Sequence, residues 1–249
     1  MSRKHNICNS KILFIIPSLI IVMLLFVVPI FYSLWLSFHT GELKNLYFFG
    51  IGNYKRMIND RTYQITLLNS IEFVLLIVPT IIVISILATI SLHSIHSERL
   101  KNIISSIFYF PCITSPVVYT LFYKQLAYSD GLLSNTLVNL GIVDSGFNLL
   151  QDELLSKIYL SIICIWAWSG FYIIILYSAV EGIDHKIYLS AQLDGANTIC
   201  IYRRIIIPLV RPVLLLIITL CTCSTFQLYV EIALITKGGP GESTYTLSL

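Results

Sequence analysis

Glu231 is a carboxylate within an apolar run near the end of the chain, in the segment TCSTFQLYVEIALIT. Gln227 lies one helical turn before it, and Tyr229 lies between the two. An ionisable group at such a depth usually faces the interior of a helix bundle or a water-filled path. We therefore expect these three side chains to line a translocation path that hydrogen-bonds a hydroxyl-rich solute. The alternative is that Glu231 forms a hydrogen bond or an ion pair with a neighbouring helix.

Sequence motifs for catalysis and for cofactor binding are absent. The chain contains no G-x-x-x-x-G-K-[ST], no G-x-S-x-G and no H-E-x-x-H, and no two of its six cysteines have metal-site spacing. We therefore predict that this chain is not an enzyme and that it binds no cofactor or metal. If it takes part in ATP-driven transport, a separate subunit must hydrolyse the ATP.

The composition indicates which elements must position these residues. Hydrophobic residues make up 56% of the chain and charged residues only 12%, whereas soluble domains carry about 25% charged residues. This balance excludes one large soluble core and predicts an all-α, polytopic transmembrane helix bundle. A net charge of +3 gives no indication of a nucleic-acid partner.

Five apolar segments are long enough to cross a membrane as helices, since a span needs about 20 residues. We expect residues 1–11 to form a cytoplasmic N-terminus, residues 12–236 to form the transmembrane domain and residues 237–249 to form an external tail. The spans are predicted at about 12–38, 66–92, 103–126, 157–179 and 213–236.

A polar, basic connection at about 181–211 separates the last two predicted spans. Within it Ile183, Ile187, Ala191 and Gly195 recur every four residues, which predicts one apolar helical face. Tyr188 and Leu189 widen this face. Gly195 can adopt the left-handed conformation that ends a helix. A short helix with a defined bend suits docking into another protein, and the alternative is a helix that lies on lipid headgroups.

This connection resembles the cytoplasmic coupling loop of permease subunits from binding-protein-dependent ABC importers. The family pattern is E-A-A-x-x-D-G-A, then eleven residues, then Pro. Leu189 and Ser190 occupy the places of the usual Glu and Ala, so one charged contact expected of the family cannot form. The resemblance implies that eight residues couple the chain to an ATPase: Leu189, Ser190, Ala191, Asp194, Gly195, Ala196, Ile205 and Pro208.

Other segments resemble the carbohydrate-uptake class of these permeases. Gly50, Asn53 and Tyr54 match its Gly-x-x-Asn-Tyr signature, and residues 238–240 match its Gly-Gly-Pro turn. The resemblance favours a sugar or a related polyol or glycoside as the solute. The alternatives are a permease of the same type for a polyamine or an anion, and a membrane sensor or enzyme unrelated to transport.

The resemblance also implies partners and a location. The expected partners are a second homologous permease subunit, a cytoplasmic ATPase dimer, an external solute-binding protein and the lipid bilayer, and no nucleic acid. The expected location is the plasma membrane of a prokaryote, with the N-terminus in the cytoplasm. Family members usually have six spans, so we expect this chain to lack the last one, which would follow Leu249.

Overall fold

The computed structural model describes residues 15–42, 44–95, 97–128, 131–141 and 148–249. The predicted cytoplasmic N-terminus, residues 1–11, lies outside the described residues. The chain divides into two compact units, residues 1–64 and residues 65–249.

The first unit contains a long helix, a hairpin and a short helix. Their bounds are α1 Ile15–Ser37, β1 His39–Glu42, β2 Asn45–Phe48 and α2 Gly52–Asn59. The two strands pair in an antiparallel hairpin. The Asn53 amide donates hydrogen bonds to the carbonyls of Ser37 (3.0 Å) and His39 (2.7 Å). It thereby satisfies carbonyl groups that the end of α1 leaves free.

The second unit is almost entirely helical, and its first helix begins in the first unit. Tyr202–Ile206 forms a π-helical turn directly after the short helix Thr198–Ile201. The helices are α3 Arg61–His93, α4 Glu98–Ile113, α5 Pro116–Ala127, α6 Leu132–Asn139, α7 Glu153–Glu181, α8 His185–Leu193, α9 Thr198–Ile201, α10 Ile207–Leu209, α11 Arg211–Phe226 and α12 Val230–Ile235.

Helix α7 is the central helix of this unit, and it packs against α4, α11 and α12. Its buried residues include Leu160, Ile163, Ala167 and Ile173. At Gly170 the α4 backbone approaches so closely that an added Cβ would lie 1.8 Å from the Phe108 carbonyl oxygen. Small residues permit such close crossings, which give van der Waals contact where no hydrophobic effect drives helices together.

The prediction of a helical, polytopic bundle is confirmed. Among the described residues, four helices are long and apolar enough to cross a membrane, or five if a bent pair counts as one span. That pair joins α4 to the stretch that begins with α5, and the two bend by more than 40° at Thr114 and Ser115. The sequence predicts one continuous span over 103–126, but Pro116 has no N–H group to continue α4 and instead begins α5.

The predicted fifth span is also interrupted, because α11 ends at Phe226 and α12 begins at Val230. The carbonyl oxygen of Leu228, within this break, accepts hydrogen bonds from the hydroxyls of Thr246 (3.0 Å) and Ser248 (2.6 Å). The tail therefore folds back onto the break and satisfies a backbone group that no helix satisfies.

Candidate functional site

A cavity of about 280 Å³ lies beside the α4–α5 bend. Three helices form most of its wall, since α4 and α5 contribute residues around the bend and α7 contributes the segment that follows Cys164. The aromatic lining residues are Tyr109, Tyr119, Trp168, Phe171 and Tyr172, and the small polar ones are Cys112, Thr114 and Ser224.

The lining residues determine which ligands the cavity suits. Of the described residues that line it, none is charged. Aromatic faces offer broad apolar contact, and the hydroxyls of Tyr119, Thr114 and Ser224 offer a few directional hydrogen bonds. A pocket that is mostly apolar with a few polar groups is the usual form of a small-molecule site. This one suits a neutral, hydroxyl-bearing solute better than an ion.

The three residues that the sequence places along a path differ in their exposure. Gln227 and Tyr229 are exposed at the break before α12, whereas Glu231 is only 4% exposed. Glu231 accepts a hydrogen bond from the Tyr119 hydroxyl. Glu231 therefore has a hydrogen-bond partner on a neighbouring helix, as the alternative interpretation of the sequence expected.

Contacts between α5 and α12 explain the burial of Glu231. Tyr119 and Lys124 both lie on α5, and the Lys124 ammonium donates to the Leu234 carbonyl at 2.5 Å. Two side chains of α5 therefore hold two positions on α12.

Sequence reasoning missed the aromatic cavity, although the segment WAWSGFY, which contains Trp168 and Phe171, is a visible concentration of aromatic residues.

A second candidate site is the connection between α7 and α11. Asp184 begins α8, since its carboxylate accepts a hydrogen bond from the Lys186 backbone N–H at 2.9 Å. The helix ends in a Schellman motif, with Gly195 N–H donating to the Gln192 carbonyl and Ala196 N–H to the Ala191 carbonyl, both at 3.0 Å. Gly195 has φ +80°, so its predicted left-handed conformation is confirmed.

The buried face of α8 agrees with the predicted one only in part. Tyr188 and Ala191 are buried, but Ile187 is 38% exposed and Gly195 is exposed. The reason is a contact from α3, because the ring of His93 stacks on Tyr188 with centroids 4.8 Å apart. Burial raises the pKa of the Tyr188 hydroxyl, which therefore stays neutral over the physiological range.

The eight predicted coupling residues divide between two environments. Ala191 is buried, and Ala196, Ile205 and Pro208 are partly buried against the protein. The other four are exposed. The exposed residues are Leu189, Ser190, Asp194 and Gly195.

Apolar side chains also face outward from this connection. Leu193 is 89% exposed and Ile199 is 77% exposed, and Leu189 adds a further 47% exposed apolar side chain. Exposed apolar side chains on one connecting segment are typical of a contact surface for another protein. Across the described part of the chain, no group of three or more His, Cys, Asp and Glu residues is placed to hold a metal ion.

Comparison with protein families decides between a transport permease and an unrelated membrane sensor or enzyme. The model described as "Binding-protein-dependent transport system inner membrane component" matches residues 67–249. The chain belongs to this family. It is therefore a multi-pass membrane subunit of a transport system and not an enzyme, and an unrelated membrane sensor is excluded.

Individual relatives agree with this assignment. The lactose transport system permease protein LacF of Rhizobium radiobacter is 32% identical over 239 residues, which cover 95% of this chain and 80% of LacF. The trehalose/maltose transport system permease protein MalF of Thermococcus litoralis is 28% identical, with coverage of 99% and 83%. The family resemblance inferred from the sequence is confirmed.

A solved structure shares the fold of this inner membrane component. It belongs to a bacterial ABC transporter involved in the import of the acidic polysaccharide alginate. The likeness has a TM-score of 0.77 at 18% identity and covers 98% of this chain and 83% of the other. At this identity the likeness establishes the fold.

Proposed function

We propose that this permease subunit forms the translocation path for a sugar, or for a related polyol or glycoside, in an ATP-driven importer. The observation that carries the proposal is the uncharged cavity at the α4–α5 bend, whose wall combines aromatic rings with a few hydroxyls. The names of two relatives, a lactose transport permease and a trehalose/maltose transport permease, support the same solute class.

The proposed path extends from the cavity past the break in the fifth span. Ser224 lines the cavity, and Gln227 follows it by one helical turn and is exposed. Tyr229 is exposed beyond Gln227 and offers a further ring and hydroxyl. Glu231 supports this path from behind the cavity wall.

The proposed assembly contains a second homologous permease, a cytoplasmic ATPase dimer and an external solute-binding protein. It lies in the plasma membrane of a prokaryote, with the N-terminus of this chain in the cytoplasm. The chain itself binds no cofactor, and ATP is hydrolysed on the separate subunit. A solved relative of the fold is described in complex with a periplasmic protein that carries an alginate pentasaccharide, which supports the external partner.

Coupling is proposed to run through α8 and the turn after it. The exposed residues Leu189, Asp194 and Gly195, together with the apolar side chain of Leu193, would enter a groove on the ATPase. The partly buried residues Ile205 and Pro208 would transmit the movement to α11, since they pack against the protein. Closure of the ATPase dimer would then move the helices around the cavity and alternate its access.

The described residues that line the cavity carry no charge, which argues against a polyamine or an anion as the solute. A site for a polyamine or an anion would need side chains of the opposite charge, because an isolated buried charge is costly. Of the cavity-lining residues in the described part of the chain, none supplies one. A neutral solute requires no such partner.

The test is uptake by proteoliposomes that contain the complete importer, with lactose, maltose, trehalose, spermidine and sulfate as alternative solutes. We expect uptake of a sugar only, and we expect Phe171→Ala to lower it by about tenfold or more as one packed contact is lost. Phe122→Ala is the matched control, because Phe122 is 61% exposed and does not line the cavity. Uptake of spermidine or sulfate alone would refute the proposal.

A further inference from the structure

Glu231 is buried behind the wall of the cavity, where its carboxylate contacts a side chain that lines the cavity. Its side chain is 4% exposed, yet it is not among the residues that line the cavity. Its hydrogen bond instead reaches Tyr119, which is 5% exposed and does line the cavity. Burying a carboxylate costs free energy. Packing of the Tyr119 ring alone does not require a carboxylate beside its hydroxyl.

The hydrogen bond determines what the tyrosine offers to a ligand. A phenol hydroxyl has one hydrogen to donate and lone pairs that accept. Since Tyr119 donates its hydrogen to Glu231, its oxygen can act only as an acceptor. The Trp168 indole N–H lies within hydrogen-bonding reach of the same oxygen, so one lone pair is left to accept from a ligand. Without the carboxylate, the hydroxyl would rotate and present either its hydrogen or its lone pairs.

The position of Glu231 is fixed from both sides of α12. On one side, Lys124 on α5 holds the Leu234 carbonyl at 2.5 Å. On the other side, the hydroxyls of Thr246 and Ser248 hold the Leu228 carbonyl just before the helix begins. The carboxylate is therefore held against the helix that carries Tyr119.

We propose that Glu231 is a positioning residue for solute recognition, which holds the Tyr119 hydroxyl as a hydrogen-bond acceptor in the wall of the cavity. The inference rests on the proposed function, because it assumes that the cavity is the solute site. Its consequence is specific. One hydroxyl of the transported sugar donates to Tyr119, and the transporter discriminates against an analogue that lacks this hydroxyl.

The experiment compares variants in the complete importer, reconstituted with saturating, solute-loaded binding protein. Uptake per ATP hydrolysed is measured for lactose, or for whichever sugar the wild-type importer takes up, and for the set of its monodeoxy analogues. The variants are Tyr119→Phe, Glu231→Leu, Glu231→Gln and the pair Tyr119→Phe with Glu231→Leu. Tyr123→Phe is the matched control, because Tyr123 lies one turn further along α5 and does not line the cavity.

We expect Tyr119→Phe and Glu231→Leu each to lower sugar uptake by about three- to tenfold, the value of one hydrogen bond. One deoxy analogue should be taken up equally by these variants and by the wild type. The double variant should be no worse than either single variant, since both remove the same interaction. Glu231→Gln should retain most of the uptake, because the amide oxygen accepts the same hydrogen.

Two results would overturn the inference. One is unchanged uptake and unchanged discrimination in Tyr119→Phe, a variant that removes only the hydroxyl and so stays informative if Glu231→Leu does not assemble. The other is an equal loss for all analogues in Glu231→Leu and Glu231→Gln alike, which indicates a purely structural role. If neither Tyr119→Phe nor Phe171→Ala affects uptake, the proposed function itself is refuted. If Phe171→Ala lowers uptake and Tyr119→Phe does not, only the role of Glu231 is refuted.

Discussion

Gly170 is the residue at which a single methyl group has the clearest predicted effect. In Gly170→Ala the new Cβ would lie 1.8 Å from the Phe108 carbonyl oxygen and 2.6 Å from its carbonyl carbon. The distance to the oxygen must grow from 1.8 Å to at least 3.0 Å, so α4 and α7 must separate by about 1.2 Å. Both obstructing atoms belong to a helix backbone, and no side-chain rotation relieves the contact.

Such overpacking costs typically about 1–3 kcal/mol, and a contact with a helix backbone that cannot rotate away places Gly170→Ala at the upper end of this range. Alanine improves helix propensity over glycine by about 0.8–1.0 kcal/mol, which offsets only part of the loss. For a chain of this size, about 1 kcal/mol of stability corresponds to about 2–4 °C in the unfolding midpoint. We therefore expect the midpoint of Gly170→Ala to fall by several degrees.

The assay is thermal unfolding of the detergent-solubilised importer, followed by uptake at a permissive temperature. Gly182→Ala is the matched control on the same chain segment, because its Cβ would meet its nearest neighbours at 3.5 and 3.6 Å. We expect the control to unfold like the wild type. We also expect Gly170→Ala to transport less, since the separation moves Trp168 and Phe171 away from the α4 wall of the cavity. An unchanged midpoint for Gly170→Ala would refute the close crossing.

The remaining predictions concern the coupling segment and the topology. In Gly195→Ala the added Cβ meets no atom within 4 Å, but the residue must keep φ +80°. We therefore expect a strain of about 1–2 kcal/mol and weaker co-purification of the ATPase. ATPase retention equal to that of Gly182→Ala would contradict this expectation. Leu189→Glu changes a side chain that is 47% exposed and should increase ATPase co-purification without changing stability by more than about 0.5 kcal/mol; unchanged retention would contradict a missing contact. Reporter fusions after Leu140 and after Lys186 should lie in opposite compartments because α7 runs between them, and the same compartment for both would contradict the span.

Much of the fold is predictable because membranes impose simple rules on composition and length. Low charge and long apolar runs are sufficient for the helical bundle, and the spacing around Gly195 is sufficient for the end of α8. The breaks at Thr114 and Leu228 are not predictable in this way, because hydropathy averages over a whole window and a short interruption disappears within it.

The candidate site depends on long-range contacts that periodicity does not contain. Tyr119 and Glu231 are 112 residues apart, and only the packing of α5 against α12 brings them together. The buried face of α8 was predicted only in part for the same reason. The four-residue repeat identifies one side of a helix, but the ring of His93, from a distant helix, decides that Tyr188 is buried instead of Ile187.

The hydroxyls that bind the Leu228 carbonyl have a consequence for synthesis. They belong to residues that lie 18 and 20 positions later in the chain, so they leave the ribosome after α11 and α12. Until Thr246 and Ser248 arrive, the interrupted span carries an unsatisfied carbonyl, which is costly in hydrocarbon. The interrupted span therefore matures in two stages, first by insertion and then by closure of residues 246–248 onto the break, and a ribosome that stalls before residue 246 leaves a nascent chain without this contact.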